Sequence, residues 1–233
     1  MIEVQDLTKY YDGFLALDSV SFKIEKGQVV GLLGLNGAGK TTCLRLLTGF
    51  LMPSDGACRI NGIDVYNQPL DAKKAAGYLP ETPPLYSELN IDNYLRFVGR
   101  MREVYGQELE NELKRVEDIT GITSVKKSLI RNLSLGYRKR VGIAQALMGS
   151  PDVLIFDEPV SGLDPRQIVE MRNLIRSLAG SHTILISSHI LTEIEQTCDR
   201  VLVIHKGKLK GDIHSDQMKQ MENIFMELTS DAD

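Results

Sequence analysis

The chain has 233 residues, 42% of them hydrophobic and 25% charged, with 27 Lys+Arg against 31 Asp+Glu and a formal net charge of −4. These are the proportions of a soluble globular protein with a sizeable core, and the mild acidity argues against a main role in wrapping nucleic acid. The longest apolar run, residues 29–35, is far short of the roughly 20 residues that span a bilayer.

No basic segment followed by an apolar one opens the sequence, so a cytoplasmic chain without a secretory leader is expected. Short β-rich apolar runs at residues 2–4, 20–24 and 29–33 predict strands. A helical pattern containing Leu44 and Leu47 follows. Asn90 is placed as the N-cap of a helix with Ile91, Tyr94, Leu95, Val98 and Met101 on one face. From about residue 108, Leu109, Leu113, Val116 and Ile119 mark a second helix that closes at Gly121. Residues 153–156 predict a buried strand. Asp164-Pro165 then caps and opens a helix that turns Ile168, Met171, Ile175 and Leu178 inward and stops near Gly180. Strands are predicted at 183–187 and 201–204, and Met218, Met221, Phe225 and Leu228 stand at helical spacing near the end.

Fully apolar strands separated by helices imply an α/β fold built on a mainly parallel sheet covered on both faces. The expected organisation is a single domain. Residues 1–84 and 151–210 form its α/β core, with an antiparallel β part at the N-terminus. An all-helical subdomain occupies about 85–150, and a short acidic helix lies in 211–233. Charge is uneven along this frame. Residues 126–140 hold six basic side chains and no acid, a stretch read as a solvated or nucleotide-facing surface. The segment 211–233 carries six acids against Lys219. Cys43, Cys58 and Cys198 form no C-x-x-C pair, which fits a reducing interior. Cys43, at a helix start, is either a thiol with lowered pKa or inert core filling, and packing is the preferred reading.

Gly34-Leu35-Asn36-Gly37-Ala38-Gly39-Lys40-Thr41 fits the G-x-x-x-x-G-K-[ST] phosphate loop, between an apolar strand and a helical pattern. Its glycines let successive N–H groups point at one anion, and the helix adds its positive dipole end. Asn36, Gly37, Ala38, Gly39, Lys40, Thr41 and Thr42 are therefore candidate nucleotide contacts. Lys40 would neutralise the β- and γ-phosphates, and the Thr41 hydroxyl would ligate Mg²⁺. Asp157 and Glu158 close the strand at 153–156, at the C-terminal sheet edge where open α/β sheets place ligands. A turn at Pro159 is expected to bring both carboxylates to the phosphates. Asp157 would hold Mg²⁺ through a water, and Glu158 would orient or deprotonate the attacking water. His189 follows the strand at 183–187 and would emerge at the same edge.

With Leu133-Ser134-Leu135-Gly136-Tyr137, these residues resemble the ATP-binding cassette (ABC) family within the P-loop NTPases. The resemblance covers nearly the whole chain and includes Ser161-Gly162-Leu163-Asp164 and Ser188-His189. It implies an ATPase that sandwiches two ATP molecules with Mg²⁺ in a head-to-tail homodimer or paired cassette. The phosphate loop of one subunit would meet Ser134 and Gly136 of the other. It also implies that Tyr11, not neighbouring Tyr10, stacks on adenine, that Asp164 links the two sites and that His189 is the switch histidine. Glu81, in Gly77-Tyr78-Leu79-Pro80-Glu81, stands where the family usually has a glutamine that senses Mg²⁺ and contacts the membrane subunit. In the signature, Leu135 and Tyr137 replace glycine and glutamine. The branch resembled pairs with ABC-2-type export permeases, so a separate membrane permease is the expected partner and the cytoplasmic membrane face the expected location. The alternative is a soluble ABC ATPase acting on nucleic acid or ribosomes, for which residues 126–140 are the sole feature.

Overall fold

The computed structural model describes residues 1–230. Asp231 and Asp233 of the acidic tail lie outside the described residues. The chain opens with a hairpin of β1 (Ile2–Tyr11) and β2 (Phe14–Ile24), paired antiparallel. Both extend well beyond the apolar runs at 2–4 and 20–24. Their remaining residues are largely half-buried or exposed, and a search for apolar runs passes over such stretches. β3 (Val29–Leu33) is buried at every position and leads into α1 (Lys40–Leu47). β4 (Asp55–Ile60) and β5 (Ile63–Asp64) follow, then α2 (Pro69–Ala75) and β6 (Ala76–Leu79).

Helices occupy the next stretch. α3 (Ile91–Met101) is capped by Asn90, whose side chain accepts from the N–H of Asn93, and α4 (Gly106–Thr120) ends at Gly121 in the left-handed conformation. α5 (Leu135–Leu147) starts from Ser134 as N-cap. β7 (Val153–Asp157) is fully buried, and α6 (Pro165–Ser177) is capped by Asp164, which accepts from the Gln167 N–H. β8 (Thr183–Ser188), α7 (Leu191–Thr197), β9 (Arg200–His205), β10 (Lys208–His214) and α8 (Met221–Thr229) complete the chain.

Two sheets result. A four-stranded antiparallel sheet has the order β2-β1-β4-β5, and a six-stranded sheet has the order β10-β9-β3-β8-β7-β6. The larger sheet is parallel except for β10 against β9. Alternation along β3 divides the core. Val30 and Leu32 face α1 and the antiparallel sheet, whereas Val29 and Leu33 face the core of the α3, α4 and α5 region. α8 closes the second core by burying Met221 and Phe225, so the terminal helix packs on its own chain. No helix among the described residues is long and apolar enough to cross a membrane.

α5 lies directly on β6. A Cβ on Gly77 would sit 2.0 Å from the carbonyl oxygen of Ala146, so this contact is backbone against backbone. Gly77→Ala therefore has to push α5 away from the sheet. The expected loss is about 1–3 kcal/mol, the usual cost of overpacking. A urea unfolding midpoint equal to wild type would contradict this account of the contact.

Candidate functional site

Register delivers the site. β7 pairs with β8 so that Asp157 stands opposite Ser187, and β3 pairs with β8 so that Leu33 stands opposite Ser188. The three strands thus end at one edge, and the segments that leave them begin side by side. From β3 the chain enters the glycine-rich loop. Gly39 caps α1 with φ at 107°, a backbone that side chains rarely adopt, and a Cβ there would meet the Ala16 carbonyl oxygen at 2.8 Å. Lys40, the first residue of α1, is buried, and its ammonium donates to the carbonyls of Gly34 at 2.8 Å and Leu35 at 3.3 Å. It also stands 3.6 Å from Glu158 Oε1. Burial pushes the Lys40 pKa down, and the carboxylates of Glu158 and Asp157 oppose that shift.

Glu158 faces the cleft, whereas Asp157 lies buried behind it against Thr41 and Ser187. The chain reverses through a turn over 158–161 that contains Pro159, closed by the Ser161 N–H on the Glu158 carbonyl at 3.2 Å, and Glu158 enters it with a left-handed φ of 48°. For a residue with a Cβ this conformation costs about 1–3 kcal/mol, and the surroundings must hold it in place. Ser187 supplies part of that hold. Its hydroxyl donates to Asp157 Oδ1 at 2.6 Å and accepts from the Glu158 N–H at 3.0 Å. Thr41 Oγ1 lies 3.4 Å from the same Asp157 oxygen, and His189 Nδ1 lies 3.0 Å from both Glu158 carboxylate oxygens.

Lys40, Thr41, Glu158 and His189 line an open cleft of about 450 Å³, and Asp157 and Ser187 lie buried behind it. Asn36, Gly37, Ala38, Gly39, Lys40, Thr41 and Thr42 form its floor, and Glu81, Glu158, Ser161 and His189 form one wall. Tyr11 and Phe14 form the rim, and Tyr10 is not among the lining residues. The Asp12-Gly13 turn has positive φ at both positions, so Tyr11 and Phe14 are direct cross-strand partners. Phe14, Ser161 and Ser187 were not assigned as site residues from sequence. The exposed aromatic beside an Asp-Gly turn was the available signal for Phe14.

Ser134 and Gly136 lie outside this cleft. Ser134 is exposed at the N-terminus of α5, and its hydroxyl accepts weakly from the Tyr137 N–H at 3.4 Å. Leu135, one of the departures in the signature, projects over Gly162, where a Cβ would come within 2.9 Å of it. The basic stretch 126–140 is largely a solvated surface, with Lys127 and Arg131 exposed and Lys126, Arg138 and Arg140 half-buried. Lys126 pairs with Glu117, Arg131 with Glu88 and Arg140 with Glu170, while Lys139 is buried. Cys43 is buried, and burial pushes its thiol up to about 12, so it is core filling and not a reactive thiol.

Residues 17–161 match the family model described as ABC transporter. The chain belongs to the ABC transporter family. A bacitracin transport ATP-binding protein of Bacillus licheniformis is 39% identical over 229 residues, covering 97% of this chain and 74% of the relative. A solved ATP-binding subunit of an ABC transporter superposes with a TM-score of 0.88 at 31% identity, covering 99% of this chain and 100% of that one. A dimeric bacterial ABC transporter cassette superposes with a TM-score of 0.84 over 92% of this chain and 99% of that one. At 20% identity that likeness is one of fold alone. In this ABC family member the matched span ends at Ser161, so β8 and His189 lie beyond it.

The Ser187 hydroxyl serves both carboxylate residues of the cassette, so its removal is informative. Ser187→Ala is expected to lower folding stability by about 1–3 kcal/mol, since the buried Asp157 carboxylate loses a charge-assisted hydrogen bond and the Glu158 N–H keeps only the carbonyl oxygen of residue 187 at 3.3 Å. ATP turnover should fall with it. Wild-type turnover and an unchanged unfolding midpoint would show that Ser187 holds neither group.

Proposed function

We propose that this chain is the ATP-hydrolysing subunit of an ABC exporter and drives a separate integral-membrane permease. The observation that carries the reading is the convergence of Lys40, Glu158 and His189 in one cleft whose floor is the glycine-rich loop, with Asp157 reaching Thr41 from behind it. ATP is the substrate. Its triphosphate lies on the N–H groups of residues 36–42, with Lys40 as counter-charge and Tyr11 stacked on the adenine. Thr41, Asp157 and Glu81 offer only oxygen atoms, the donor set that suits Mg²⁺. Thr41 and Asp157, 3.4 Å apart, would hold it with Glu81. The ion, when bound, supplies charge neutralisation on the phosphates.

Glu158 takes the proton of the water that attacks the γ-phosphate, and His189 keeps that carboxylate aimed through Nδ1. His189 itself lines the cleft, so its imidazole is available to a γ-phosphate bound there. Ser134 and Gly136 serve the nucleotide of a second cassette, in a homodimer or pair. Their position outside the cleft, at a helix N-terminus where Ser134 is exposed and Gly136 is covered by Gln167, supports this division, as does the dimeric state of the solved cassette. Asp164, the cap of α6, joins the two sites in that assembly. Residues 1–84 and 151–210 act as the nucleotide-binding body, and about 85–150 as the arm that carries the signature.

Export follows from the resemblance to the ABC-2-type branch and from the bacitracin transport relative. The permease, of ABC-2 type, holds the chain at the cytoplasmic face of the membrane. A nucleic-acid role is not favoured, because Lys126, Arg131 and Arg140 are engaged by acids of the same chain.

Two variants test the reading. Glu158→Gln is expected to keep ATP binding, abolish turnover and accumulate an ATP-bound dimer in size-exclusion chromatography; a monomer that turns over normally would sink the assignment of the base. Lys40→Ala should lose nucleotide binding in a fluorescence titration, and unchanged affinity would mean that the loop does not hold the phosphates.

A further inference from the structure

Lys139 is among the largest side chains that the fold buries completely. A buried ammonium is costly unless its protons are placed on acceptors. Here two of its three donors are placed on main-chain oxygens. Nζ lies 2.5 Å from the carbonyl oxygen of Glu81 and 2.9 Å from that of Glu158. Burial pushes the Lys139 pKa down, and the carboxylates of Glu81, Asp157 and Glu158 work against that shift.

The two acceptors belong to residues that line the cleft, and each follows a strand end. β6 and β7 are neighbours in the sheet, with Leu79 opposite Phe156. Lys139 therefore staples two adjacent strand exits from the helix packed above them. The staple has a particular task at Glu158, where φ is 48°. The N–H of that strained residue is held by Ser187, at 3.0 Å from the hydroxyl and 3.3 Å from the carbonyl oxygen, and its C=O accepts from Lys139 at 2.9 Å and from the Ser161 N–H at 3.2 Å. With both peptide groups fixed, the carboxylate has only its own side-chain torsions left to vary.

We propose that Lys139 is a positioning residue that fixes the main chain of Glu158 and of Glu81 to α5. The helix that presents Ser134 at its exposed N-terminus thereby sets where two of the carboxylates in its own cleft stand. The inference rests on the reading of Glu158 as the base, and it adds a residue that touches neither nucleotide nor water. Lys139 acts through hydrogen-bond donation, so a neutral donor of similar length performs part of the task and an apolar chain of similar volume performs none.

The test measures ATP turnover and the affinity for the fluorescent nucleotide mant-ATP in the full chain, for Lys139→Met and Lys139→Gln. Lys139→Met is expected to lower kcat about 100-fold, the effect of a misplacement near 1 Å, with mant-ATP affinity unchanged. Lys139→Gln, which keeps an N–H donor, should recover most of that loss. Wild-type turnover in Lys139→Met, equal loss in both variants, or parallel loss of kcat and mant-ATP affinity would overturn the proposal. Should Lys139→Met not fold, Lys139→Asn decides, because its amide is too short to reach both carbonyls: a loss of kcat with unchanged mant-ATP affinity is expected, and wild-type kcat or a parallel loss of affinity would overturn the proposal. Glu158→Gln separates the two readings. An active Glu158→Gln removes the base assignment, whereas an inactive Glu158→Gln beside a fully active Lys139→Met removes the role of Lys139 alone.

Discussion

The pairing of β7 with β8 sets Asp157 opposite Ser187, and most of the site hangs from that alignment. A shift of one residue would move Ser187 to the other face of the sheet and separate its hydroxyl from both Asp157 and the Glu158 N–H. The pairing of β3 with the other side of β8 ties the glycine-rich loop to the same edge. Buried residues at every position of β3, β7 and β8 fix this register, because polar residues have no way to trade faces with them. The chemistry is thus positioned by the least polar part of the molecule.

The central strands and the capped helices were legible because each carries a strong local signal. A fully apolar run marks β3 and β7, Asn90 and Asp164 cap through their own side chains, and Gly121 closes α4. Four strands left no comparable trace. β4, β6 and β10 have half-buried or polar positions, and β5 is two residues long. Within the site, Lys40, Asp157 and Glu158 were legible because spacing and strand context announce them. Ser187 and Lys139 were not, because their roles exist only in three dimensions. Ser187 reaches across to a neighbouring strand, and Lys139 reaches main-chain atoms that have no sequence signature. The turn at Pro159 was legible, but the left-handed φ of Glu158 before it was not, because a left-handed glutamate looks like any other glutamate in sequence.

Charge shows the same lesson from another side. The run of basic residues between 126 and 140 is a largely solvated surface that is also tied down, with partners on α4, on α6 and in the turn at Glu88. Lys126 alone reaches a fully enclosed acid, Glu117, and Arg140 adds a bond to the Thr120 carbonyl at 2.9 Å that closes the end of α4. Sequence proximity gathers these cations, but the fold distributes them as fasteners between helices. Lys139 is the extreme case.

The six-stranded sheet ends in β10 on one side and β6 on the other. Open strand edges invite pairing with foreign strands, and both of these are blunted. β10 carries Lys208, Lys210 and Asp212 and breaks register between Leu209 and Gly211. On β6 the guanidinium of Arg102 donates to the Ala76 carbonyl at 2.9 Å, occupying an acceptor that a foreign strand would need. The sheet that gathers the nucleotide cleft at one edge is thereby guarded against aggregation along its two flanks.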